Sequence, residues 1–175
     1  MNTQRTLTLG LIILAAALSR LLPHPDNVTP IAALALFAGV FMEKKSLALA
    51  VPLLAMLLSD ALIGFHSTMW GVYLGFALIV AIGFMLRQRL GFLSVALAAF
   101  AGSLAFFFFS NLAVWLSSGL YPLTLAGFSE CFIAAIPFYT NTLLGDLFYT
   151  SLLFFGFMKA ESRFAWLRVR PLQTA

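Results

Sequence analysis

Pro23-His24-Pro25-Asp26-Asn27-Val28-Thr29-Pro30 is a short polar stretch set between two apolar runs. Three prolines fall within it, beside one of the chain's two histidines. Proline fixes its own φ, lacks an N–H and turns the preceding residue away from the α region. The stretch therefore stops one helix, holds an extended turn and starts another. It reads either as a tight loop between two membrane helices or as the lip of a ligand pocket made by His24, Asp26 and Asn27.

Working outward, the flanks are too apolar for a protein bathed in water. Of 175 residues, 62% are hydrophobic and 9% charged, with a mean hydropathy of +1.02. A soluble domain carries roughly a quarter of its residues as charges, so the outer surface here must face the lipid bilayer. A spanning helix takes about 20 apolar residues, which leaves room for six spans and no separate soluble domain. The net charge of +4 then reports topology before nucleic-acid binding. The single cysteine, Cys131, excludes an internal disulfide and a cysteine-based zinc cluster.

The apolar runs lie at about 7–22, 28–42, 47–64, 69–86, 90–116 and 132–158, and predict an all-α bundle of six transmembrane helices over 1–175. The first run, with Arg5 before it and Ala15-Ala16-Ala17 inside, mimics a cleavable signal peptide. Arg20 and the later spans argue against cleavage. Ser117 to Glu130 reads as a polar-tinged connection, and 90–116 is long enough to require tilt or bend. With both termini cytoplasmic, Arg5, Lys44, Lys45, Arg87, Arg89, Lys159, Arg163, Arg168 and Arg170 fall inside, and Arg20 alone falls outside. That sorting follows the positive-inside rule and supports six spans.

Polar side chains in hydrocarbon are costly unless paired or lining a cavity. Most here sort to the outer side: Arg20, His24, Asp26, Asn27, Asp60, His66, Asn111, Trp115, Tyr121 and Glu130. Arg20 and Asp60 read as an ion pair, serving a pocket or merely tying two helices. The sixth run carries Tyr139, Asn141, Thr142 and Asp146 as a polar seam. Asp146 falls roughly 20 Å below the start of that run at 1.5 Å per residue, as a transport group or as an inter-helix hydrogen-bond node. Small residues recur four apart, among them Ala35 with Gly39 and Gly71 with Gly75, a spacing that lets helices approach closely. The run Phe106 to Phe109 reads as lipid-facing or packing material. No G-x-x-x-x-G-K-[ST], H-E-x-x-H or G-x-S-x-G occurs, and the second half does not repeat the first. A chain of this kind is expected to capture a substrate for another machine to drive, and not to be an enzyme.

The string from Leu22 to Gly39, together with Leu58–His66, Ser110–Leu116 and Ala135–Asp146, resembles the S-components, the substrate-binding membrane subunits of energy-coupling factor (ECF) vitamin transporters. Within them the chain is most similar to the solitary vitamin B12 S-components of Gram-negative bacteria. The resemblance implies a multi-pass protein of the bacterial inner membrane, an outward vitamin pocket, and a partner module of one transmembrane scaffold plus two ATPases. Cobalamin is then the implied cargo, with no intrinsic cofactor and no nucleic acid. Cobalamin-binding members ligate cobalt with a pocket cysteine. Cys131, at the outer start of the sixth run, does not match that position. His24 or His66 is the alternative cobalt ligand, through a neutral imidazole. The expected pocket residues are Arg20, His24, Asp26, Asn27, Asp60, His66, Tyr73, Asn111, Trp115 and Tyr139. Two rival readings are a structural or assembly subunit, and an outer-face metalloenzyme using His24, Asp60 and His66.

Overall fold

The computed structural model describes residues 3–18 and 27–168. Six α-helices follow in order: α1 (Thr3–Leu18), α2 (Ile31–Phe41), α3 (Lys45–Ile63), α4 (Met69–Leu86), α5 (Phe92–Ser117) and α6 (Leu125–Arg163). A 3-10 turn, Ala165–Leu167, follows α6. No strand occurs among the described residues.

The shortest helix lies at the centre. α2 has 11 residues, IAALALFAGVF, with no polar side chain on any face. A helix that is apolar all round belongs in the interior, and every one of its residues is buried. It packs against each of the other five helices. At 1.5 Å per residue α2 is only about 16 Å long, roughly half the hydrocarbon thickness. Four helices, α3 to α6, are long and apolar enough to cross a membrane. Their outward faces leave Leu58, Leu62, Met85, Phe92 and Phe148 more than half exposed, a surface suited to lipid and not to water.

Backbone-to-backbone contact holds the centre. A Cβ on Gly39 of α2 would sit 2.5 Å from the Val80 carbonyl oxygen, and one on Gly83 of α4 would sit 2.7 Å from that of Leu36. Only glycine at both positions allows this crossing. On the far side of α2, Phe37 and Phe41 pack against Phe154 and Phe157 of α6, with ring centroids 4.8 to 5.8 Å apart. Such tilted and edge-on pairs add to the burial itself.

One end of the bundle gathers the basic residues, and two of them do more than anchor. Arg5 lies inside α1 and is 3% exposed. It donates to Glu161 Oε1 at 3.0 Å, to the Leu167 carbonyl at 2.9 Å and to the Phe41 carbonyl at 3.4 Å. Arg87 donates to the carbonyls of Gly39 at 2.7 Å and Met42 at 2.6 Å. The last carbonyls of a helix lack intrahelical partners and carry partial negative charge. Two guanidinium groups thus cap the C-terminus of α2. Arg20 and Arg170 lie outside the described residues.

Several boundaries differ from expectation. The sixth helix starts at Leu125 and not at 132, so residues 125–130 are helical and not part of a connection. The Thr124 hydroxyl accepts from the Gly127 N–H at 3.2 Å, a side-chain cap that begins the helix early. The resulting 39 residues make α6 about 58 Å long. The first helix begins at Thr3, four residues before the apolar run, because Arg5 finds buried partners.

Candidate functional site

At the end opposite Arg5 and Arg87, the 27–30 segment and the α3–α4 connection enclose a cavity of about 500 Å³. Its polar lining comes from Asn27, Thr29, Asp60, His66, Thr142 and Asp146. Ile31, Met56, Val72 and the rings of Phe76, Phe106 and Phe138 complete most of the wall. A small-molecule site is usually a mainly apolar hollow of about 300–1,000 Å³; this one has such a volume but divides its lining almost evenly between apolar and polar groups.

Local structure accounts for each contribution. Asn27 takes a left-handed backbone, φ +62, which asparagine tolerates better than most residues, and this turns the chain into the cavity rim. Gly145 admits the segment: a Cβ there would lie 3.2 Å from the Val28 Cα. On α3, Asp60 is 2% exposed and accepts a hydrogen bond from Tyr73 Oη at 2.9 Å. His66 is exposed at the rim, its Nδ1 2.8 Å from Thr68 Oγ1. On α6, Phe138, Thr142 and Asp146 recur every fourth residue and so form one row facing the cavity.

A second hollow of about 210 Å³ adjoins the first and shares Asn27, Phe106, Phe138 and Thr142 with it. Ser110, Asn111 and Tyr139 also line it. The Asn111 amide donates to the Phe107 carbonyl one turn back, at 2.7 Å.

The expected site residues divide accordingly. Asn27, Asp60 and His66 line the main cavity, and Asn111 and Tyr139 line its side chamber. Tyr73 acts through Asp60. Trp115 is turned elsewhere: its indole N–H donates to the Pro122 carbonyl at 3.0 Å, tying α5 to the chain before α6. Arg20, His24 and Asp26 lie outside the described residues. Cys131 is buried, its thiol 3.5 Å from the Asn111 carbonyl, and lines neither hollow. Among the described residues, no three His, Cys, Asp or Glu side chains gather as a metal site would require.

Sequence reasoning missed most of the apolar wall. Phe106 and Phe107, expected to face lipid or fill space, line the two hollows. Asn141, expected in the polar seam of the sixth helix, is exposed instead. The four-residue spacing of Phe138, Thr142, Asp146 and Thr150 was the signal that separates the inward row from Asn141.

Among the curated proteins and the solved structures compared with it, none matches this chain. One family model matches residues 1–169, nearly the whole chain, and its description is "Family of unknown function (DUF6580)". The chain, with its buried central helix and its cavity at the end away from the arginine caps, belongs to the DUF6580 family.

Proposed function

We propose that this protein is a substrate-binding membrane subunit, similar to the S-components of ECF transporters, that captures a vitamin or related micronutrient. It resides in the bacterial inner membrane, crosses it six times and keeps both termini in the cytoplasm. The arginine-capped end then faces inward, as the sorting of lysine and arginine requires, and the cavity faces outward. α2 makes its crossing as a short helix because its neighbours, and not lipid, surround it. The observation that carries the reading is the 500 Å³ cavity between the 27–30 segment, α3, α4, α5 and α6. Asn27, Asp60 and His66 orient the cargo at the rim, and Phe76, Phe106 and Phe138 give it apolar faces to stack on.

That volume suits a molecule of ordinary vitamin size. A corrinoid would seat only part of its bulk there, with His66 Nε2, and not Cys131, available to the cobalt. The chain performs no chemistry on its cargo in this reading. Release to the cytoplasm is driven by an ECF scaffold with two ATPase subunits.

Purification in mild detergent, followed by mass spectrometry and an absorbance spectrum of the released small molecules, tests the proposal. A stoichiometric compound is expected, retained by the parent and bound about tenfold more weakly by Phe106→Ala, the equivalent of about 1.4 kcal/mol. If nothing co-purifies, and Asp60→Asn with Phe106→Ala leaves uptake and complex assembly unchanged, the capture role fails and an assembly subunit remains.

A further inference from the structure

The side chamber next to the main cavity is lined by polar groups whose hydrogens are already placed. Ser110 Oγ donates to the Phe107 carbonyl at 3.3 Å, and the Asn111 amide donates to the same carbonyl at 2.7 Å. Thr142 Oγ1 donates to the Phe138 carbonyl at 3.1 Å. Such bonds to the preceding turn satisfy polar side chains inside an apolar helix. They also fix direction. A hydroxyl has one hydrogen, and once that is given away only lone pairs remain for the chamber. A carbonyl can only accept, so the Asn111 nitrogen faces Phe107 and Oδ1 is left as an acceptor. Ser110, Asn111 and Thr142 thus give the chamber three acceptors, and the remaining side-chain donors are the neutral amides of Asn27 and Asn111. Tyr139 presents its ring there, because its Oη is buried.

Charge and ring chemistry point the same way. Among the described residues no lysine or arginine lines either hollow, while Asp60 and Asp146 line the larger one. The rings of Phe106, Phe107, Phe138 and Tyr139 wall the chamber, with the centroids of Phe107 and Tyr139 4.8 Å apart. Aromatic faces are negative, so they attract cations and N–H groups and disfavour anions. A carboxylate or phosphate buried there would lose its water with no cation to replace it.

We propose that the side chamber binds a planar nitrogen group of the cargo, an amidine or an amino-substituted heteroaromatic ring, and rejects carboxylates and phosphates. The plane lies against the aromatic walls, and its N–H groups donate to Ser110 Oγ, Asn111 Oδ1 and Thr142 Oγ1. The chamber, of about 210 Å³, holds that group. The rest of the molecule occupies the main cavity, which shares Asn27, Phe106, Phe138 and Thr142 with it. That a cargo exists rests on the capture role proposed above, whereas the preference for N–H donors rests on the chamber's own walls.

The test is equilibrium dialysis of radiolabelled benzamidine, benzamide and benzoate against the full-length protein in phosphatidylcholine nanodiscs, with empty nanodiscs subtracted. The three probes share one ring and nearly one size. Benzamidine carries N–H donors and a positive charge, benzamide keeps N–H donors without the charge, and benzoate has neither. Saturable benzamidine binding is expected, about tenfold or more tighter than that of benzoate, with benzamide between them. Asn111→Leu and Thr142→Val each weaken benzamidine binding about tenfold, whereas Ser162→Ala, on the exposed end of α6, binds as the parent does. No saturable benzamidine binding by the parent overturns the proposal, as does benzoate bound as tightly as either nitrogen probe. Neither result needs a variant to fold. Parent-like benzamidine binding by both Asn111→Leu and Thr142→Val overturns it as well. A co-purified cargo without N–H groups sinks the chamber assignment and leaves capture standing. Benzamidine preference in a protein with no cargo and no uptake supports the chamber and sinks capture.

Discussion

The two ends of this bundle differ in how far they pair their buried polar groups. At the basic end, Arg5 and Arg87 reach four backbone carbonyls and one carboxylate, so that a helix terminus and two charges complete each other. At the level of the cavity floor, Asp146, Ser103, Thr150 and Tyr139 keep buried oxygens without partners. A satisfied network stabilises and specifies a fold, while an unsatisfied group in a dry place has a cost that persists only where function uses it. The contrast teaches where to look for structure and where to look for ligand: the first end holds the fold, and the second is open to a guest.

The comparison breaks most readily at Arg5. Arg5→Ala strands the Phe41 and Leu167 carbonyls and leaves Glu161 unpaired, so it should destabilise by about 3–5 kcal/mol. Denaturant or thermal unfolding in detergent measures this, and a loss below 1 kcal/mol, on the scale of an exposed pair, would show the network to be ornamental. Next in size is Gly39→Ala, which drives a methyl group into the Val80 carbonyl and separates α2 from α4. Overpacking of this kind costs about 1–3 kcal/mol, and the same unfolding assay should place it below Arg5→Ala. The smallest effect has the opposite sign. Asp146→Asn replaces a buried carboxyl group whose Oδ2 has no hydrogen-bond partner, and should stabilise by about 1–2 kcal/mol at neutral pH. A destabilised Asp146→Asn would mean that the carboxylate has structural partners, and the contrast between the two ends would collapse.

Much of the helical framework was legible along the chain, and the reasons are local. Runs such as 69–86 became α4 with the same bounds, because length and apolarity are summed over neighbours in sequence. Gly71 with Gly75 marked a true contact face, since α4 meets α5 there through Phe106 and Phe109. Ala35 with Gly39 marked another, but its partner Gly83 carried no spacing signal and emerged only from the crossing of α2 and α4. The α6 start was misplaced because Thr124, an ordinary loop threonine in sequence, turned out to cap a helix. The site was legible only in its polar members. Asp60 and His66 stood out because polar groups are rare in such a chain, whereas nothing distinguished the cavity-lining Phe106 from the exposed Phe108.

The order of residues by itself determined a helical chain suited to lipid, the bias of its basic residues to alternate connections, and the polar tinge of the opposite ones. Each of these is additive along the chain and needs no knowledge of what meets what. Tertiary structure alone decided that α2 would be the buried axis, that Arg5 would cap it, and that Asp146 and Ser103 would meet in one buried seam. Those outcomes depend on how far each helix is rotated and how closely it crosses its neighbour, which glycine contacts and ring packing set only after the helices have met.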